Sequence, residues 1–454
     1  MNYSDKVVKV IANVIKIDWQ MPYKIAEAGI GSGSGFFIDK EHILTCAHVV
    51  CNAKEVLVEI PKYGQKKFKV DILGISPQID IALLKLKDGK KLSVTPLKLG
   101  DSSKVLPGNE VFAVGFPLGL AGVKVTKGII SGRVMSMLQM DTSINPGNSG
   151  GPLIKDGKVI GINQGAITNV TNMNLSVPID KLKLIKADLY KKHHLIKRPF
   201  IGAEYNNMDD SLIKYLGSKC KNGIYISRVY PGSPIEKAGI KEGDVVCKIG
   251  KYKLDNYGLM NSYWDSEKMN ISDMISTIPN NTAVPIEYWS SGKNLVKSKL
   301  KLTPYDLPID IKFPLYEPIG FEIAAGMIVM ELSLNHIEKF DDSIKLKKFM
   351  IPKNRAKKRL IVTKVLPGSY IGERDVVDDT DFIVEVNGVK VNDIDGYRKA
   401  LLKPVAGKSG ILQFKTDDNS MFTIPLKTAL EEEPMLAQTY GYPPLNVLML
   451  KYKL

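Results

Sequence analysis

Three short segments hold residues whose types and spacing could do nucleophilic chemistry together. The run SGSGFFIDKEHILTCAHVV leads through two short strands to His48. SPQIDIALLKL places Asp80 at the head of an apolar run, and INPGNSGGPL sets Ser149 in a glycine-rich turn. A serine hydroxyl is a weak nucleophile until an adjacent base takes its proton, and an imidazole serves as that base when a buried carboxylate fixes its tautomer. Glycines beside the serine let backbone N–H groups converge on a developing oxyanion with no side chain in the way. The conjunction predicts acyl transfer, with His48 as general base, Asp80 as its orienter and Ser149 as nucleophile. The turn Gly147–Asn148–Ser149 forms the oxyanion hole, and the Gly147 and Ser149 N–H groups are its donors.

These residues need a scaffold of strands. Residues 5–180 hold short β-type runs broken by Gly, Asn, Asp and Pro, among them VVKVIANVIKI, EVLVEI, DIALLKL, EVFAVGF and KVIGIN, which predicts an all-β barrel or sandwich. From 178 to 197 the period changes: Leu182, Ile185, Leu189 and Tyr190 recur at helical steps, which predicts a helix with Asp180 as N-cap. Arg198-Pro199 breaks that helix and marks a boundary.

Downstream, SRVYPGSPIEKAGIKEGDVVCKI has a weaker echo about a hundred residues later in TKVLPGSYIGERDVVDDTDFIVEVNGVKV. A repeat of that length means a duplicated domain rather than a solenoid. The reading is a catalytic β domain at 1–197, one recognition domain at 198–302, a Pro-rich linker at 303–318, a second such domain at 319–430, and a tail at 431–454 set apart by an acidic run and prolines.

Composition narrows the class. The 454 residues are 44% hydrophobic and 24% charged, an ordinary globular balance that argues against disorder. Mean hydropathy is −0.06 and no run approaches the roughly 20 apolar residues of a membrane span. The net charge is +15, but only seven of the 63 basic residues are Arg, so specific nucleic-acid recognition is not indicated. No basic-then-apolar leader opens the chain, which predicts a cytoplasmic or other intracellular location, a virion included if the source is viral. Four cysteines without a CxxC pair predict reduced thiols, not a disulfide framework or a zinc site. No metal and no cofactor is expected.

The order His–Asp–Ser is that of chymotrypsin-type sites. T-x-A-H-V-V at 45–50, D-I-A-L-L-K at 80–85 and N-P-G-N-S-G-G-P-L at 145–153 resemble the three blocks of the HtrA/Deg proteases, and GKVIGIN and NLSVPID resemble the strands that follow the serine there. The resemblance implies a mostly β fold: a two-β-barrel trypsin-like domain followed by two PDZ-like α+β domains. It implies a serine endopeptidase in protein quality control or processing, acting on polypeptides that are unfolded or have apolar C-termini. It also implies a homo-oligomer, a trimer or a multiple of one, with Trp19 and Tyr23 as contacts. The S1 pocket falls on Ile144, Ala166 and Ile167. With Ser143 where an acid would select Lys or Arg, small or medium aliphatic P1 residues are expected. Peptide capture by the PDZ-like domains falls on Phe200, Ile201, Gly202 and Ala203 in the first and on Ile319, Gly320 and Phe321 in the second. The rival reading is a chaperone-like or scaffold protein on a protease fold held inactive. A third is a scaffold that binds nucleic acid by charge alone.

Overall fold

The computed structural model describes every residue except 1, 88–91, 135, 167–173, 263–267, 293, 404, 406–409, 445 and 453–454. Its contacts divide the chain into two units: residues 1–15 with 28–305, and residues 16–27 with 306–454.

The first unit opens with β1 (Val7–Ile17), β2 (Ile25–Phe37), β3 (His42–Thr45), a single helical turn α1 (Ala47–Val50), β4 (Ala53–Glu59), β5 (Lys67–Ser76) and β6 (Ile81–Leu86). Because β5 pairs with both β4 and β6, the six strands close a barrel. Phe36, Phe37, Ile43, Leu44 and Ile81 are fully buried in it. A second closed barrel follows, with β7 (Glu110–Gly115), β8 (Lys124–Val134), β9 (Met137–Met140), β10 (Pro152–Lys155), β11 (Lys158–Ala166) and β12 (Asn174–Pro178). Val111, Ala113, Leu138, Met140 and Leu153 fill its interior.

Helix α2 (Lys181–Leu189) is shorter than the expected 178–197 and buries Leu182, Ile185 and Leu189, whereas Tyr190, expected on the same face, follows the last helical residue and is exposed. Asp180 does not cap it. Its carboxylate accepts from the Ser102 hydroxyl (2.5 Å) and the Ser103 N–H (3.0 Å) instead. The short β13 (His194–Leu195) then adds parallel to β5.

The rest of this unit is PDZ-like: β14 (Ala203–Asn207), α3 (Asp210–Leu216), β15 (Ile224–Val229), α4 (Pro234–Lys237), β16 (Val245–Ile249), β17 (Tyr252–Lys253), the small pair β18 (Met260–Asn261) and β19 (Lys268–Met269), α5 (Ile271–Ile275), β20 (Thr282–Trp289) and β21 (Leu295–Leu302). The sheet runs β14-β15-β16-β20-β21, with β14 at one edge. Cys220 and Cys247 are joined in a disulfide with Cα atoms 5.9 Å apart, which corrects the expectation of free thiols; Cys46 and Cys51 are free. The pairing is made by β16 passing beside the segment before β15, a proximity that a 27-residue spacing does not reveal.

The second unit contains β22 (Phe321–Ala324), β23 (Met327–Glu331), α6 (Leu334–Lys339), α7 (Ile344–Lys347), β24 (Leu360–Val365), β25 (Phe382–Val386), β26 (Val389–Lys390), α8 (Ile394–Leu401), β27 (Ile411–Thr416), β28 (Met421–Pro425), α9 (Leu426–Tyr440) and α10 (Val447–Tyr452). Trp19 and Tyr23 belong to this unit: Trp19 meets the His336 ring edge-on at 5.1 Å, and Tyr23 lies 5.6 Å from the Tyr442 ring. Two expectations are corrected here. The linker is part of the body, since Ile309 is fully buried with Met330 and Phe349. The acidic run does not begin a detached tail. It lies inside α9, and residues 447–452 form the further helix α10. Ala429, Leu430, Glu433, Leu436 and Ala437 repeat at helical spacing and form the buried face of α9, with Glu433 as the polar member of an apolar stripe.

Glu433 is 1% exposed, beside Tyr442 and Asn446. Burial pushes its pKa up to about 7, against Tyr442 and Asn446, which favour the charged form, while the nearby Glu432 and Glu322 push the same way as burial. A carboxyl whose folded pKa lies above its unfolded one stabilises the fold most when protonated. Its contribution is complete below the ordinary Glu range near 4.5 and is lost as pH rises through about 7. Thermal unfolding of the second unit should therefore move to lower temperature between pH 5 and pH 8, and Glu433→Gln should flatten that dependence; equal slopes for the two proteins would contradict the assignment.

Candidate active site

The first barrel carries two of the candidate catalytic groups. Helix α1, starting at Ala47 directly after β3, holds His48 with its side chain 49% exposed. Asp80 precedes β6 and sits in the left-handed region (φ 65°), a conformation Asp tolerates better than most residues. That kink leaves its side chain 8% exposed with the carboxylate aimed at α1. One oxygen accepts the His48 backbone N–H (2.9 Å) and the other lies 2.8 Å from His48 Nδ1. With Nδ1 engaged, the ring offers Nε2 to a substrate-side proton.

The second barrel carries Ser149 in the turn between β9 and β10, half-buried. Its hydroxyl donates to the Gln164 carbonyl (2.7 Å), not to the imidazole. Among the described residues no carbonyl accepts from the N–H of Gly147 or Ser149, so both remain available to an oxyanion. Asn148 differs from the expectation for the turn: its N–H is taken by the Asn145 carbonyl (3.0 Å) and it is 5% exposed. Gly147 is needed for its φ of +99° and because a Cβ there would lie 2.3 Å from the Phe116 carbonyl oxygen.

Ser34, in the glycine-rich part of β2, was not singled out by sequence and ties this turn down. Its N–H donates to the Ser149 carbonyl (2.7 Å), and its hydroxyl donates to the Gly147 carbonyl (2.6 Å) while accepting from the Phe116 N–H (3.0 Å). Ser34 is fully buried. The available signal was a polar residue in a strand leading into two buried phenylalanines. Cys46, two residues before His48, lies beside the pair. Its buried thiol donates to the Asn163 carbonyl (3.3 Å) and lies within 4.8 Å of the His48 and Asp80 ligand atoms. Burial, reinforced by the Asp80 charge, pushes the thiol pKa well up, so it stays a neutral donor, and Nδ1 is already held by Asp80.

Of the S1 residues, Ile144 is 7% exposed and packs in the second barrel core with Leu138 and Met140. Ala166 ends β11, and Ile167 lies outside the described residues. In the first PDZ-like domain, Phe200 packs on Tyr230 (6.1 Å) and Tyr305 (6.3 Å), Ile201 is 4% exposed, Gly202 has φ +81°, and Ala203 begins β14.

Two stacked barrels with a His–Asp pair on one and a serine turn on the other define a trypsin-fold peptidase domain. Residues 33–162 match the family described as trypsin-like peptidase domain, and residues 193–262 match the PDZ domain. The chain is 37% identical over 249 residues to a putative protease Do-like 14 of Arabidopsis thaliana, covering 48% of this chain and 56% of that one. It is 30% identical over 328 residues to a probable periplasmic serine endoprotease DegP-like of Marinomonas, covering 66% of each. A serine protease Do-like HtrA of Bacillus subtilis is 34% identical, covering 60% of this chain and 63% of that one. These matches make the chain a relative of the HtrA/Deg serine proteases, with a trypsin-like peptidase domain and a PDZ domain, and it spans less than two thirds of the length of these relatives. The solved HtrA-type protease AlgW with tripeptide superposes with a TM-score of 0.51 at 23% identity, over 67% of this chain and 95% of that one, which shows the shared fold.

Ser34→Ala removes the hydroxyl that joins Gly147 to Phe116 and strands two buried polar groups, a loss of about 1–3 kcal/mol in stability. By letting the turn shift, it should also lower kcat/KM on a peptide substrate by about tenfold to a hundredfold. Wild-type turnover in a folded Ser34→Ala protein would remove Ser34 from this role.

Proposed function

We propose that this protein is a serine endopeptidase working through an acyl-enzyme. The observation that carries the reading is the two-point grip of Asp80 on His48, opposite a serine turn whose Gly147 and Ser149 N–H groups are unused. In the reaction Ser149 Oγ turns from the Gln164 carbonyl to His48 Nε2, gives up its proton and attacks the scissile carbonyl carbon. The Gly147 and Ser149 N–H groups hold the tetrahedral oxyanion. His48, now an imidazolium steadied by Asp80, returns the proton to the leaving amine; water then enters, is deprotonated by His48 and releases the acyl group. Leaving the Gln164 carbonyl forfeits one hydrogen bond, a cost of about 1 kcal/mol that substrate binding can offset.

Substrate choice follows from two regions. Apolar Ile144 and Ala166, with Ser143 where an acid would stand, support small or medium aliphatic P1 residues. The open edge of β14 supports capture of an apolar C-terminal peptide by strand addition, with Phe200–Ala203 at the carboxylate end and α5 alongside. Gly202→Val should abolish binding of such a peptide in fluorescence anisotropy, since a Cβ there would lie 2.1 Å from Ser233 Cβ; retained affinity would remove this groove.

A second reading, a scaffold on an inactive protease fold, is favoured only by the Ser149–Gln164 bond. A serine-directed phosphonate separates the two. The endopeptidase reading expects covalent labelling of Ser149, and a fall of about a thousandfold or more in casein hydrolysis for Ser149→Ala; no labelling and equal hydrolysis by the variant would overturn it.

A further inference from the structure

The two PDZ-like domains repeat one chain order: strand, helix, strand, Pro-Gly-Ser turn, strand, short strand, helix, two strands. In the first the sheet reads β14-β15-β16-β20-β21 with β17 on β16; in the second, β23-β24-β25-β27-β28 with β26 on β25. On this alignment β23 is the counterpart of β14. Two glycines confirm the register. A Cβ on Gly202 would meet Ser233 Cβ at 2.1 Å, and a Cβ on Gly326 would meet Ser369 Oγ at 2.4 Å, each the serine of its own Pro-Gly-Ser turn. The Gly202 carbonyl accepts from Tyr230 N–H (2.9 Å) and the Gly326 carbonyl from Leu366 N–H (2.8 Å), each donor standing just before its Pro-Gly-Ser.

This register corrects the sequence reading of Ile319, Gly320 and Phe321 as the second carboxylate loop. The place that Gly202 holds belongs to Gly326, and Phe321 begins an additional strand. That strand, β22, pairs antiparallel with β23 along its whole length, from Phe321 opposite Met330 to Ala324 opposite Met327. It lies on the side of β23 that β14 leaves open. The turn between them has two residues, Ala325 (φ 54°) and Gly326 (φ 74°), the pattern of a tight type I′ hairpin. A peptide added to β14 would run antiparallel to it with its C-terminus at Gly202; β22 runs antiparallel to β23 with its C-terminal end at Gly326.

The groove helix clasps this strand. Arg398 of α8 donates through Nε to Glu322 Oε2 (2.6 Å) and through a terminal nitrogen to the Phe321 carbonyl (2.8 Å). Glu322, 5% exposed, also accepts the Val447 N–H of α10 (3.0 Å) through its other oxygen. Gly320 lies against Ile394 at the start of α8, where a Cβ would stand 2.9 Å from the Ile394 methyl. Ile323 is 7% exposed and Ala324 fully buried.

We propose that β22 is a built-in ligand, the chain's own strand in the peptide position of the second PDZ-like domain, so that peptides with apolar C-termini are captured at one groove per chain and not at two. The inference rests on reading β14 as a peptide-receiving edge. The second domain keeps the recognition fold with its occupant covalently attached.

The test uses the full chain carrying Ser149→Ala, so that it does not cut the probe, and a short synthetic peptide with a C-terminal valine and a benzophenone group. Photo-crosslinks mapped by mass spectrometry should fall within 198–302 at one peptide per chain. Crosslinks at 327–331 or 394–401 with equal occupancy overturn the proposal. Crosslinks in neither domain defeat the β14 reading, and the built-in ligand is then judged by its clasp. Arg398→Ala removes two charge-assisted hydrogen bonds and should raise crosslinking at 327–331 about tenfold or more. Glu322→Gln, which keeps the side-chain volume, should raise it in the same direction. Unchanged labelling in both variants, with unfolding temperatures near wild type, overturns the proposal.

Discussion

The bond from the Ser34 N–H to the Ser149 carbonyl joins the two barrels at the point where their chemistry must meet. His48 and Asp80 are positioned by β3, α1 and β6 of the first barrel, and Ser149 by the β9–β10 turn of the second. Two separately closed barrels share no hydrogen-bonded strand, so a few backbone contacts at their seam set the distance between base and nucleophile. Ser34 supplies three of those hydrogen bonds from one buried residue. Glycine in the turn answers the same constraint at Gly150, where a Cβ would lie 2.2 Å from the Ser34 carbonyl oxygen across the seam; at Gly147 a Cβ would lie 2.3 Å from the Phe116 carbonyl oxygen within the second barrel.

Within that frame the site is assembled but not cocked. The Asp80–His48 pair is fully formed, because both partners sit on one barrel and Asp80 stays buried. The serine hydroxyl rests on the Gln164 carbonyl at the end of β11, a neighbour from its own barrel. The one contact absent from the structure is the one that must cross the seam, and it is also the contact that depends on a rotatable hydroxyl rather than on backbone. Strain is placed in the same way: Asp80 holds a left-handed φ where its carboxylate must turn toward α1.

The duplicated PDZ-like fold shows how one topology yields two surfaces. In the first copy the chain reaches Gly202 directly from β13, and among the described residues the outer edge of β14 is left unpaired. In the second it arrives as β22 and folds back through a two-residue hairpin. An exposed edge strand invites pairing with another chain; one copy keeps that property and the other satisfies it internally. The polar groups that hold β22 lie on three elements, Glu322 on the strand, Arg398 on α8 and the Val447 N–H on α10, so the closure belongs to the whole second unit.

The sequence by itself determined the groups that chemistry prescribes by type: His48, Asp80 and Ser149, the glycines that must flank a reactive serine, the β-rich character of residues 5–180, a helix within 178–197 and the duplication marked by two Pro-Gly-Ser turns. Each follows from local residue type or short-range period, which a linear reading preserves. Only the tertiary structure decided which N–H groups of the serine turn are unused, that Ser34 binds the turn, and that residues 16–27 belong with the second unit. It also decided that Cys220 meets Cys247, and that the acidic run of 431–433 enters a helix whose buried stripe includes Glu433. The two candidate peptide loops read alike because both hold Ile-Gly beside an aromatic residue, Phe200 in one and Phe321 in the other. Which glycine faces the Pro-Gly-Ser serine depends on whether the strand before it is free or folded back. That is a question of pairing between segments, and strand pairing is settled by the whole sheet and the helix over it, not by the residues of the strand alone.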